Sequence, residues 1–228
     1  PQAADVSLVG HSQGGVVSAM AAGRLGSGVI KSLVLMAPAA VLKDDALRGN
    51  TMGATYDPWH APEYVALPSG HRLGRAYVQT AVSLPIYETA ARYDGPALVV
   101  HGMADRVVPY TYGERFAREM PRCELSVVPG DDHVFSGDVE NVASAVAEWL
   151  VKTLEMTLKS AGHGLRFLFA GSEPDAVKQA RPPFYVFNQH VVLVALPPEV
   201  HHGRHTYKLF LKLRTAATLP TFISEGKR

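Results

Sequence analysis

The pattern G-x-S-x-G at residues 10–14, GHSQG, constrains this chain more than any other feature of its sequence. It follows an apolar run of strand length at residues 5–9 and leads into residues 13–24, whose small side chains suit a helix. A strand that turns sharply into a helix at a serine strains that serine's backbone, so the residues two positions away on either side must be tiny. The turn makes Ser12 a candidate nucleophile, and the backbone N–H of Gln13 a candidate donor to an oxyanion.

Two loops that follow later strands offer an acid and a base for this serine. A serine hydroxyl needs a base, normally histidine, and the histidine needs a carboxylate to fix its tautomer. The strand pattern at residues 96–101 runs into Asp105, and the pattern at residues 124–128 runs into His133. Both follow Ser12 in the order serine, acid, histidine, and open α/β sheets place functional groups beyond the carboxyl ends of their strands. The sequence therefore predicts a catalytic triad.

Other acids and bases near these loops are weaker candidates. Asp131 and Asp132 lie too close in sequence to the predicted base to reach its far nitrogen, so we interpret them as turn formers. His11 points sideways from the serine at the turn, and we assign it to substrate binding rather than to proton transfer. His101 ends a buried strand pattern and is expected to pack or to form a hydrogen bond locally.

The order of strand and helix patterns predicts an α/β fold with a mostly parallel sheet and flanking helices. Further patterns are a strand at residues 31–36 and helices at residues 112–119 and 138–158. Residues 39–94 interrupt the alternation with a stretch rich in Gly, Pro and aromatic residues, which we interpret as a small inserted cap. We expect residues 1–158 to form this domain and residues 159–228 to be a tail of uncertain structure.

The composition excludes several classes of partner. The formal net charge is +1, which gives no strong field toward nucleic acid or anionic membranes, and no stretch reaches the roughly 18 unbroken apolar residues of a membrane span. The single cysteine, Cys123, cannot form an internal disulfide. With no signal peptide visible, we expect a cytoplasmic protein. His201, His202 and His205 lack a carboxylate or cysteine at ligand spacing, so no metal or other cofactor is predicted.

Similarity to a known family runs continuously over about residues 1–152. It is carried by the segments GHSQGGVVSAMAAG, LVLMAPAAVLKDDALRGNTMGATYDP, SLPIYE, HGMADRVVP and PGDDHVF. These segments resemble those of the bacterial cinnamoyl and feruloyl esterases of the α/β-hydrolase superfamily. ALRGNTMGATYDP and SLPIYE are the more specific, because they belong to the predicted cap. The resemblance implies an α/β-hydrolase fold that binds small aromatic esters and hydrolyses esters of ferulic, p-coumaric or caffeic acid.

The same resemblance implies roles for two cap residues. In the family an Asp and a later Tyr of the cap hydrogen-bond the hydroxyl group of the substrate ring, and by position these fall on Asp45 and Tyr77. The alternatives are a helix cap or surface charge for Asp45 and a half-buried packing residue for Tyr77. Met52 stands where the family has a Gln, which leaves the aryl preference open.

The chain departs from the family before the predicted nucleophile. The family has several strands there, including a loop that donates a second N–H to the oxyanion, whereas only eleven residues precede Ser12. We therefore expect a partial hydrolase domain that lacks the N-terminal strands, encoded by a fragment of a gene. The run VVLVALPPEVHHG at residues 191–203 leaves a circular permutation as the alternative.

The predicted function is hydrolysis of carboxylic esters, most specifically cinnamoyl and feruloyl esters, by a serine esterase. A serine aminopeptidase or a general carboxylesterase of the same fold is an alternative. A different alternative is a non-catalytic scaffold, since missing strands would leave an unpaired sheet edge and a route to self-association, including a homodimer.

Overall fold

A computed structural model describes residues 5–160, 191–196, 198–201 and 204–207. The predicted strands and helices are confirmed to within about two residues at their ends. The strands are β1 (Asp5–His11), β2 (Ile30–Met36), β3 (Asn50–Thr51), β4 (Ala54–Thr55), β5 (Tyr64–Ala66), β6 (Arg72–Gly74), β7 (Ala97–Gly102), β8 (Cys123–Val128), β9 (Val191–Leu196), β10 (Pro198–His201) and β11 (Arg204–Tyr207). The helices are α1 (Gln13–Leu25), α2 (Val41–Arg48), α3 (Arg75–Ser83), α4 (Ile86–Ala90), α5 (Thr111–Glu119) and α6 (Val139–Ser160).

The central sheet has five strands in the order β8-β7-β2-β1-β9. The first four are mutually parallel, as the alternation of strand and helix patterns predicts. Their carboxyl ends therefore lie along one edge of the sheet. Ser12 follows β1 at this edge, the loop with Asp105 follows β7, and the loop with His133 follows β8.

Helices cover both faces of the central strands β2 and β7, whereas β8 at the edge of the sheet is largely exposed. Along β7, Ala97 and Val99 belong to a core cluster built with α1 and α5, whereas Leu98 and Val100 belong to a second cluster with α6. Burial on both faces explains why β2 and β7 contain the unbroken apolar runs at residues 33–36 and 97–100, because successive side chains of a strand point to opposite sides. In the described part of the chain, no helix combines the length and the apolar character needed to cross a membrane.

The segment predicted to form a cap, residues 39–94, contains helices α2, α3 and α4 and the two short hairpins β3–β4 and β5–β6. Asp44 of this segment accepts a hydrogen bond from the hydroxyl of Tyr112 on α5 at 2.6 Å, which fastens the segment to the rest of the domain. Within the segment, Lys43 on α2 donates to the carbonyl of Leu84, just after α3, at 2.7 Å. That this segment covers a bound substrate stays a prediction.

The described part of the tail adds one strand to the sheet and forms one separate hairpin, β10–β11. Strand β9 pairs antiparallel with β1, so that Val191 lies opposite Gly10 and Leu196 opposite Asp5. The chain after β9 therefore leaves at the edge of the sheet away from Ser12. This direction disagrees with the circular permutation. The permutation would need β9 to end near Ser12, so that the next loop could donate an N–H to the oxyanion, but β9 ends opposite Asp5 at the other end of β1.

Candidate active site

A sharp turn between β1 and α1 holds Ser12 in a strained conformation. Its φ is 56° and its ψ is −125°, a backbone geometry that costs a non-glycine residue on the order of 1–3 kcal/mol. Its backbone groups are fixed on both sides. The N–H donates to the carbonyl of Met36 at 2.9 Å, and the carbonyl accepts from Gly15 and Ala39, each at 3.0 Å. These bonds keep the hydroxyl at the carboxyl edge of the sheet.

The glycines around the serine are required by close packing. A Cβ on Gly10 would lie 2.3 Å from the carbonyl oxygen of Gly14 and 2.5 Å from the hydroxyl of Ser18. A Cβ on Gly15 would lie 3.0 Å from Pro38. The expectation that the residue two positions before the serine must be tiny is confirmed.

The predicted nucleophile, base and acid lie in contact in series. His133 Nε2 is 2.9 Å from Ser12 Oγ, and His133 Nδ1 is 2.8 Å from Asp105 Oδ2. A carboxylate only accepts hydrogen bonds, so Nδ1 carries the hydrogen and Nε2 presents its lone pair to the serine hydroxyl. This tautomer is the one that can remove a proton from Ser12.

The environment of Asp105 keeps its carboxyl group ionised. The side chain is completely buried, and Oδ1 accepts hydrogen bonds from the backbone N–H groups of Val107 and Val108, each at 2.8 Å. Burial by itself would raise the pKa of Asp105, but hydrogen bonds from His101, His133 and Val108 outweigh it and hold the pKa well below its usual range. The carboxylate can therefore balance a positive charge that develops on the imidazole.

Two carboxylates hold the loop that carries the histidine. Asp132 accepts hydrogen bonds from the backbone N–H groups of Val134 and Ser136, at 3.0 and 3.1 Å. Asp131 accepts from the backbone N–H of Gly137 at 3.0 Å. Both are turn formers, as the sequence predicts, and they fix the backbone on either side of the imidazole.

His11 supports this loop from the β1 side. Its Nε2 donates to the backbone carbonyl of His133 at 2.8 Å, and the two imidazole rings lie 4.8 Å apart. Burial lowers the pKa of His11, and the hydrogen bond to the carbonyl of His133 opposes that shift only in part. The ring is therefore neutral at pH 7 and donates from one nitrogen. Its predicted role in substrate binding stays a prediction.

The remaining predicted site residues lie on α1, α2 and α3, and their roles also stay predictions. Gln13 is the first residue of α1, so its N–H has no acceptor within the helix and is available to a ligand. Asp45 on α2 forms an ion pair with Arg48 at 2.6 Å. Tyr77 on α3 is partly buried against the core, and burial raises its pKa. Met52 is 69% exposed at the turn between β3 and β4.

Sequence reasoning did not identify the two backbone donors to Asp105. Asp side chains commonly accept hydrogen bonds from N–H groups two and three residues later, and Asp105 does so with Val107 and Val108. The sequence Asp-Arg-Val-Val-Pro is compatible with such a turn and could have indicated it.

Within the ranges that the structure describes, no cluster of three or more His, Cys, Asp or Glu side chains could hold a metal ion. His202, one of the three tail histidines for which no metal site is predicted, lies outside those ranges.

The chain matches the model of a protein family described as the alpha/beta hydrolase family over residues 2–180. The match extends beyond residue 152, where the resemblance visible in the sequence ends. A curated relative, the non-heme chloroperoxidase CPO-A1 of Kitasatospora aureofaciens, is 28% identical over 188 residues. That alignment covers 65% of this chain and 68% of the relative.

Among solved structures, the fold is similar to that of Est1E from Butyrivibrio proteoclasticus. The sequences are 32% identical, the TM-score is 0.60, and the match covers 63% of this chain and 59% of Est1E. A structure of Est1E with ferulic acid bound gives 32% identity and a TM-score of 0.61, covering 64% of this chain and 58% of Est1E. The chain thus spans less than two thirds of the length of Est1E.

Proposed function

Because the chain belongs to the alpha/beta hydrolase family, we propose that it is a serine esterase whose catalytic triad is Ser12, His133 and Asp105. The observation that carries the proposal is the unbroken hydrogen-bonded series from the Asp105 carboxylate through the imidazole to the serine hydroxyl. The link from His133 to Ser12, at 2.9 Å, is within the reach that proton transfer requires, and the link from His133 to Asp105, at 2.8 Å, orients the imidazole.

The reaction follows from this geometry. His133 Nε2 takes the proton of Ser12 Oγ as the oxygen attacks the ester carbonyl, and the N–H of Gln13 stabilises the oxyanion. The imidazolium then protonates the leaving alcohol, which departs and leaves an acyl group on Ser12. Water, deprotonated by the same imidazole, attacks this acyl-enzyme and releases the acid. Asp105 stays ionised throughout and stabilises the imidazolium.

The acyl group that we propose is cinnamoyl or feruloyl. Support comes from the cap segments ALRGNTMGATYDP and SLPIYE, which resemble those of cinnamoyl and feruloyl esterases. Further support comes from the 32% identity with Est1E, which has been crystallised with ferulic acid. Asp45 and Tyr77 are the proposed partners of the ring hydroxyl. Use of Asp45 in this way requires the substrate to compete with Arg48 for the carboxylate.

The test is hydrolysis of methyl ferulate and p-nitrophenyl butyrate by the chain and by two serine variants. Ser12→Ala removes the nucleophile and should lower kcat by at least about 10³-fold. The control, Ser126→Ala, changes an exposed serine of β8, three strands away in the sheet, and should leave kcat unchanged. Equal rates for the unaltered chain and Ser12→Ala would contradict the proposal.

The substrate panel also separates the alternatives. Preference for methyl ferulate supports the feruloyl assignment, whereas preference for simple aliphatic esters or for aminoacyl amides indicates a general carboxylesterase or an aminopeptidase. Peroxide-dependent chlorination belongs in the panel because of the identity with the chloroperoxidase. A folded chain that processes none of these substrates would support the non-catalytic scaffold.

A further inference from the structure

A second histidine, His101, contacts the same carboxylate oxygen as the proposed base. It is the penultimate residue of β7 and is fully buried. Its Nε2 lies 3.2 Å from Asp105 Oδ2 and 2.9 Å from the backbone carbonyl of Val108. His133 Nδ1 reaches Oδ2 from the other side at 2.8 Å. His101 itself makes no contact with Ser12 in this arrangement, so the reaction proposed above does not use it.

The contacts of His101 fix its hydrogen. Both groups near Nε2, a carboxylate and a carbonyl, only accept hydrogen bonds, so Nε2 is the protonated nitrogen. Its hydrogen is shared between Asp105 and Val108. Nδ1 is buried and has no hydrogen-bond partner among the residues that the structure describes, and it faces Gly113 of α5, where a Cβ would lie 2.4 Å away. The ring is thus held in place by a helix that has no side chain at the point of contact.

We propose that His101 is a positioning residue, which holds the Asp105 carboxylate toward His133 and draws part of the negative charge of Oδ2 away from it. This rests on the proposed function of the triad. Two backbone N–H groups fix Oδ1, whereas in the described part of the chain only the two histidines form hydrogen bonds with Oδ2. Without His101, the bond from His133 to Oδ2 would remain, but Oδ2 would be held in line with Nδ1 less tightly.

The charge effect has a definite sign. When Oδ2 accepts one hydrogen bond instead of two, it presents more negative charge to the imidazole of His133. That charge favours the protonated form of His133. Loss of the His101 donor should therefore move the acid limb of the pH–rate profile to higher pH. The other titratable groups facing Asp105 are His133 and His11, with Asp132 beyond them, and none of these changes in the variants described below.

Two substitutions at one position separate donation from packing. His101→Gln places an amide N–H close to where Nε2 lies, and should keep kcat within about threefold. His101→Leu removes the donor and should lower kcat about 10- to 100-fold, as expected for loss of a hydrogen bond to a charged group, with KM changed less than about threefold. The acid limb should move up by roughly 0.5–1 pH unit in the Leu variant and stay in place in the Gln variant.

Gly113→Ala gives an independent variant that leaves His101 chemically intact. Its Cβ displaces the imidazole and should reproduce the fall in kcat and the shift of the acid limb. This variant decides the matter if His101→Leu does not fold. Equal losses in His101→Gln and His101→Leu, or a folded Gly113→Ala with unchanged kcat and pH profile, would overturn the proposal.

A spectroscopic measurement keeps this inference separate from the proposed function. The proton between His133 Nδ1 and Asp105 Oδ2 should give a far-downfield proton NMR resonance, assigned by its absence in His133→Ala. His101→Leu should shift or broaden this resonance, whereas Ser126→Ala should not. A shift without Ser12-dependent hydrolysis would contradict the esterase but not the positioning role. Hydrolysis with an unmoved resonance would contradict the positioning role alone.

Discussion

The Asp105 carboxylate accepts four hydrogen bonds, two at each oxygen, and this number explains how a buried acid stays ionised beside Ser12. Each bond to an ionised group is worth more than a bond between neutral groups, so together they offset the cost of burial. The sequence indicates the acid through its place after a strand. It also predicts that His101 is buried and packs or forms a hydrogen bond locally, which is confirmed, but not that Asp105 is its partner, because the fold of the loop back onto β7 determines that contact.

His11 provides a residue-scale prediction about acid sensitivity. Its folded-state pKa lies below the ordinary value of 6.5, because burial disfavours the charged ring. The unfolded chain therefore binds a proton more readily than the folded chain, and the free energy of unfolding decreases as pH falls through 6.5 toward the folded-state pKa. His11→Gln keeps a donor for the carbonyl of His133 but does not titrate.

Urea unfolding at pH 7.5 and pH 5.5 checks this prediction. The unaltered chain should lose more free energy of unfolding between the two pH values than His11→Gln does. As a control, His60→Gln changes an exposed histidine whose partner is Asp57, and should lose about as much as the unaltered chain. The same loss in all three proteins would show that His11 is not the source of the acid sensitivity.

At the scale of elements, the turn between β1 and α1 depends on the absence of a side chain at Gly10. Gly10→Ala introduces a Cβ 2.3 Å from the carbonyl oxygen of Gly14, so the first turn of α1 must move. We expect it to lower the free energy of unfolding by about 1–3 kcal/mol and to lower kcat, since the helix carries the Gln13 N–H.

Chemical denaturation and kcat measured on the same preparation check this, with Gly28→Ala as the matched control. A Cβ on Gly28 meets nothing within 4 Å, and its φ is not positive, so the substitution should change stability by less than about 0.5 kcal/mol. If both alanine variants behave alike, close packing at the turn does not limit the site.

Elements with a clear sequence period could be predicted, and elements without one could not. Mostly apolar stretches that end at Gly, Pro or a turn mark the strands β1, β2, β7 and β8 in the sequence. Helix α6 repeats its apolar residues at helical spacing. The hairpins β3–β4 and β5–β6 pair only two or three residues per strand, too few to establish a period. The pairing of β9 with β1 depends on which strand offers unpaired backbone groups at the edge of the sheet, and no local sequence pattern indicates that.

At the scale of the whole molecule, one property of the fold brings the site together. Parallel strands end at a common edge, so three loops separated by up to 121 positions in the chain meet there. The order of the motifs in the sequence was sufficient to predict this meeting. The cap residues are different. The ion pair between Asp45 and Arg48 is local to α2, where residues three positions apart are neighbours, whereas the partial burial of Tyr77 depends on how α3 packs, which its sequence position alone does not specify.

Covalent labelling with a fluorophosphonate, located by mass spectrometry of the intact chain and its peptides, tests the proposed nucleophile most directly. Such a reagent reacts with a serine only where a neighbouring base removes its proton and the phosphoryl oxygen is stabilised. We predict one adduct, on Ser12, which is lost in Ser12→Ala and strongly slowed in His133→Ala, while Ser126→Ala labels normally. A folded chain that gives no adduct, or an adduct on another serine, would contradict the proposed triad.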